Sequence, residues 1–102
     1  MAEKITFNLS VSIIDNTGNE IKSLEVREPT SEDAINLNYP FVINGDDEPV
    51  FNARKVYAWL SALTNQPPSI CKKISLKDVE KFKYFLVGFF LAGKEQAIQL
   101  LK

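Results

Sequence analysis

Histidine is absent from this 102-residue chain, and cysteine occurs only once, as Cys71. The first absence removes the commonest general base and the commonest metal ligand together. The second excludes an internal disulfide and suits a reducing compartment. Glycine-rich phosphate loops, cysteine pairs and dinucleotide fingerprints are missing too, so no catalytic, cofactor-binding or metal-binding residue is assigned. The start, MAEKITFNLS, lacks the charged and then apolar regions of a secretory signal. The most apolar run, Tyr84–Gly93, is ten residues long, half of the roughly 20 that a membrane-spanning helix needs. No membrane partner is expected.

What is present is an ordinary globular balance, 45% hydrophobic and 25% charged, enough for one domain over residues 1–102. The net charge of −1 is unevenly spread. Residues 1–51 carry three basic and ten acidic groups, and residues 52–102 carry nine basic and three acidic. This asymmetry pulls the two halves together within one fold, or orients a partner or a second copy.

Residues 5–13, ITFNLSVSI, alternate with period two and predict a half-buried strand with Ile5, Phe7, Leu9, Val11 and Ile13 on one face. DNTGN makes a turn, and residues 20–28 return as a second strand. There Ile21 is out of phase with Leu24 and Val26, which places a slip near Ser23. Pro29 ends the strand. Thr30 with Asp33 reads as a capping box opening a short helix near 31–38, which Pro40 stops. Phe41-Val42-Ile43 fits a short strand and Asn44-Gly45 a turn. A second helix is predicted over 49–64, with Pro49 in its first turn, Asp46, Asp47 and Glu48 at its positive end, and Ala53, Val56, Tyr57, Leu60 and Leu63 inward. Pro67-Pro68 breaks the chain, Ser69–Ile74 makes a single turn, and Ser75 with Asp78 caps a last helix over 75–92. The fold class is therefore α+β: an N-terminal antiparallel hairpin, residues 3–28, followed by three or four helices within 30–102.

On the last helix, Val79, Phe82, Leu86 and Phe89 share one side, and with Leu63 they are expected in the core. Lys73, Lys77, Lys81 and Tyr84 share the other. Lysines interleaved with aromatics raise nucleic-acid binding as a reading, but a pI near 5.4 and the four-residue spacing of a wet helix face oppose it. Cys71, between Ile70 and Lys72, reads as a packed thiol rather than a nucleophile. Past Lys83 the helix turns apolar nearly all round. Tyr84, Phe85, Val87, Gly88, Phe90 and Leu91 either are covered, with Ala97, Ile98 and Leu101 folding back over them, or form a surface for a partner.

Two patches carry a family resemblance. LEVREPTSEDAINL, with Arg27, Glu28, Pro29, Thr30 and Asp33, and LTNQPPSICKKISLKDVEKF, with Leu63, Thr64, Pro67, Pro68, Ser69 and Asp78, together resemble the tail assembly chaperones of Mu-like phages and prophages. The resemblance implies a non-enzymatic role in the bacterial cytoplasm. Such a chaperone binds the hydrophobic tape-measure protein during tail morphogenesis and is absent from the mature virion. The ending GKEQAIQLLK would correspond to the short form of a chaperone that some phages also extend by frameshifting. A structural tail component, or a small nucleic-acid-binding regulator, is the alternative. Either the client or a second copy would use the apolar surface at 84–91.

Overall fold

Alternating apolar residues draw the N-terminus into a strand, and the predicted hairpin forms. In the computed structural model, which describes residues 5–93 together with 99 and 101, β1 (Ile5–Ile14) pairs antiparallel with β2 (Glu20–Val26). The turn is held by Asp15, whose Oδ1 accepts from the N–H groups of Thr17 and Asn19 at 2.9 Å each. Gly18 adopts a φ of 88° there, a conformation that costs glycine little.

The alternation fails in the second half of β1. Register passes from Asn8↔Ser23 to Ile13↔Ile21, so residues 9–12 are answered by Lys22 alone. The slip expected near Ser23 is real: it opens directly after the Asn8↔Ser23 pair, and the extra residues lie on β1. It turns Val11 outward to 56% exposure, against the phase of its neighbours.

A bulge frees backbone N–H groups, and these need acceptors. Asp78, fully buried at the start of the last helix, supplies them. Its carboxylate accepts from Ser10 N at 3.0 Å to each oxygen, from Ser10 Oγ at 2.9 Å and from Ser75 Oγ at 2.9 Å. Val11 N stands further off, at 3.5 Å. Burial pushes this carboxyl up, but the hydrogen bonds from Ser10, Ser75 and Val11 outweigh it and hold it below its ordinary value.

Thr30 caps α1 (Ser31–Leu37) with the capping box foreseen for Thr30 and Asp33. Arg27 grips the same Asp33 with two hydrogen bonds of 2.7 Å. The chain beyond α1 departs from expectation. Residues 49–51 do not open a helix: β3 (Phe41–Ile43) and β4 (Pro49–Phe51) form a second antiparallel hairpin. The Asn44 side chain closes it, accepting from Asp46 N at 2.9 Å and Glu48 N at 3.0 Å. The positive φ falls on Asp47, not on Gly45. Asp46, Asp47 and Glu48 therefore sit in a hairpin turn, and Pro49 pairs with Ile43. Pro49 is tolerated because a two-stranded sheet offers it an edge.

Asn52 is the true cap of α2 (Ala53–Thr64), accepting from Lys55 N. The buried face of α2 is Val56, Trp59, Leu60 and Leu63, whereas Ala53 is exposed and Tyr57 only half-buried. Trp59 replaces Ala53 in the inward set, and its Nε1 donates to the Asn38 carbonyl at 2.8 Å. The single turn expected at 69–74 is the four-residue helix α3 (Pro68–Cys71), which starts one residue earlier and ends sooner. Ser75 caps α4 (Leu76–Ala92), as its spacing to Asp78 predicts. No helix among the described residues is long and apolar enough to cross a membrane. The core joins Phe7, Val26, Trp59, Leu60, Phe82, Leu86 and their neighbours into one cluster, with Phe89 only partly buried against it.

Asp78→Ala should lower unfolding stability by about 1–3 kcal/mol, because it removes the charged acceptor of part-buried donors on the bulge and the tie from β1 to the start of α4. Urea denaturation measures it, and a wild-type midpoint would show that the bulge finds other acceptors. Acid should act in part through two carboxylates, Asp33 and Asp78. The hydrogen bonds of Arg27 lower Asp33 from 3.8 to about 2, more than offsetting its burial. Both Asp33 and Asp78 are held below their ordinary value of 3.8 in the folded protein. Each contribution is therefore complete above that value and is lost as pH falls through the folded pKa. Urea midpoints followed downward from about pH 5 should fall more steeply for wild type than for Asp33→Asn. Equal slopes would mean that Asp33 is not coupled to folding.

Candidate partner-binding site

The segment singled out for partner binding lies wholly within α4, and the structure divides it. Phe85 is 0% exposed and Gly88 is buried. Val87 and Phe90 are half-buried, and only Tyr84 and Leu91 are exposed. The six residues therefore do not form one outward face. Phe85 belongs to the core, stacked on Phe82 at 5.8 Å between ring centres. Gly88 accepts through its carbonyl from Gly93 N at 3.0 Å, closing the end of the helix.

The reason is that α4 is covered from more sides than a hairpin and helices alone would provide. Phe7 of β1 meets Phe82 at 6.4 Å. Trp59 of α2 meets Phe90 edge-on at 5.4 Å. The second hairpin contributes Phe41 against Phe90 at 5.8 Å and Phe51 against Tyr84 at 6.2 Å. Lys83 closes over Phe51, with Nζ 4.5 Å from the ring centre. Of the residues expected to fold back, Leu101 is buried in the core; Ala97 and Ile98 lie outside the described residues.

Accessible apolar surface remains where α1 faces the C-terminal end of α4. A cleft of about 470 Å³ is lined by Pro29, Ala34, Ile35, Tyr39, Phe89 and Phe90 together with the first turn of α1. Ile35 is 79% exposed and Tyr39 62%. Leu91, next to Phe90 in the chain, is 66% exposed. The Tyr39 ring rests edge-on against Phe90 at 6.0 Å, so the wall is ordered before any partner arrives. Ile35 and Tyr39 escaped the sequence reading because α1 is short and its polar capping residues dominate it. The discoverable signal was Ile35, a large apolar residue on a short polar helix, with Tyr39 just beyond the helix end.

The motif residues are joints rather than a surface. Arg27 N donates to the Leu63 carbonyl at 2.9 Å, so the two sequence patches meet at a backbone hydrogen bond. Pro29 is buried, and Glu28 is half-buried beside it. Thr64 Oγ1 donates to Leu60 O at 2.6 Å. Pro67 precedes α3, Pro68 and Ser69 form its first turn, and the Pro67 carbonyl accepts from Ile70 N at 3.0 Å. Burial pushes the Cys71 thiol up, as suits a packed side chain rather than a reactive one.

Phe85→Ala should cost about 3–5 kcal/mol of stability, whereas Leu91→Ser should stay within about 0.5 kcal/mol of wild type. Thermal melts of the two variants check this, and the reverse order would mean the two faces of α4 are exchanged. No protein-family model, curated protein or solved structure matches the chain, so a functional reading rests on this surface and on the two sequence patches.

Proposed function

We propose that the protein is a non-enzymatic binding protein that shields an apolar helical client, and that the client is the tape-measure protein of a phage tail. It acts in the cytoplasm of the bacterial host and leaves before the virion is complete. The observation that supports this best is the preformed cleft between α1 and the end of α4, with Ile35 and Tyr39 exposed on its wall and Leu91 exposed next to Phe90 in the chain. A soluble domain this small gains nothing in stability from leaving such residues in water, and apolar grooves between helices suit amphipathic helices as guests. The two sequence patches support the choice of client through their resemblance to tail assembly chaperones.

Co-expression with the tape-measure protein of the same phage should yield a co-purifying complex, and Ile35→Ser combined with Leu91→Ser should abolish it without lowering the melting temperature. A complex that survives the double substitution would move the contact elsewhere. Failure to co-purify at all would remove the client. Persistence of the protein in purified virions would favour a structural tail component instead.

A further inference from the structure

The charge around the cleft is one-sided. The described segments that line it are residues 29–39 and the end of α4. Glu28, Glu32 and Asp33 stand on or beside the first, and the second, from Tyr84 to Gly93, is uncharged. Residues 28–39 hold three acidic and no basic side chains. Arg27 reaches into this region, but both of its 2.7 Å bonds go to Asp33. Glu32 is exposed.

The lysines of α4 stand apart from this end. Along the helix, Lys81 and Lys77 lie about 13 Å and 20 Å from Phe90, beyond the screening length of physiological salt. Lys83, nearer, is held by Glu80 at 2.9 Å and by the Phe51 ring. The cleft walls come from α1, its flanking turns and α4, with no strand among them. An extended peptide therefore finds no sheet edge to join there, and a helix is the guest that the shape admits.

We infer that this cleft selects a basic amphipathic helix: a partner segment whose apolar stripe is flanked by lysine or arginine. The inference rests on the docking reading above and adds the charge of the partner. A second copy of this chain is a poor occupant. It would bring its own Ile35 and Tyr39 on the same acidic face, and like charges oppose that pairing.

Two fluorescein-labelled synthetic peptides of roughly 18 residues, long enough to form a helix, test it. Both carry the same leucine and phenylalanine stripe, flanked by lysines in one and glutamates in the other. By fluorescence anisotropy the lysine peptide should bind on the order of tenfold more tightly, and less so as salt rises. Ile35→Ser should weaken binding, and Glu32→Lys should narrow the preference between the peptides. Both positions are exposed, and a melt of each variant confirms that it is folded. Equal or better binding of the glutamate peptide, binding of neither, or no effect of either substitution would overturn the inference. Its fate is separable from that of the client. A lysine-peptide preference without tape-measure co-purification keeps the basic-helix site and removes the proposed client. Co-purification insensitive to Ile35→Ser and Glu32→Lys does the opposite.

Discussion

The carboxylate of Asp78 is the constraint on which the arrangement depends. A bulge in β1 leaves the Ser10 and Val11 N–H groups without strand partners, and a charged acceptor from another element takes them. The same carboxylate accepts from Ser75, the residue that caps α4. One side chain thus fixes the start of the longest helix against the middle of the first strand. A buried carboxylate is tolerable only when hydrogen bonds replace its hydration. Here two backbone donors and two hydroxyls do so, although the Val11 contact is long. From that fixed point α4 runs across the hairpin, bringing Phe82 onto Phe7.

The consequence at the other end of α4 is an aromatic cluster assembled from four elements. Trp59, Phe41, Phe51 and Tyr39 approach a helix whose own Phe85, Phe89 and Phe90 point in several directions. A helix apolar around most of its girth is stable in so small a domain because a second hairpin closes one flank. That hairpin depends on the Asn44 side chain and on the reversal at Asp47. Local turn chemistry at 44–48 therefore decides how much of α4 stays wet.

The sequence was legible where a pattern is local. The alternation of Ile5, Phe7 and Leu24, the Thr30–Asp33 and Ser75–Asp78 caps and the break at Pro67-Pro68 each depend on residues a few positions apart, and each appears in the fold. The misreadings share a cause. Pro49 has two common homes, a first helical turn and an edge strand, and only the pairing of Val42 with Val50 decides between them. Val11 keeps its phase in the sequence, but a tertiary acceptor 67 residues away rewards a bulge that turns it out. Phe85 was assigned to a surface because the residues that cover α4 were themselves unplaced. The cleft was illegible for the same reason: Ile35 and Phe90 are 55 positions apart in the sequence, and no periodicity connects them.

This division bears on how the resemblance is weighed. Arg27, Pro29, Thr30, Asp33, Leu63, Thr64 and Asp78 engage one another or the neighbouring backbone, so the two patches specify joints of a scaffold. The exposed residues of the cleft, Ile35 and Tyr39, lie in or just after the first patch but contribute nothing to its hydrogen bonds. Leu91 lies outside both. A scaffold and the surface it carries answer to different constraints. The joints must satisfy buried donors and acceptors in this chain, whereas the cleft must match the stripe and charge of whatever helix it receives. Two chains could then share the joints and differ in their guests, and the chemistry of the cleft is the better guide to the partner.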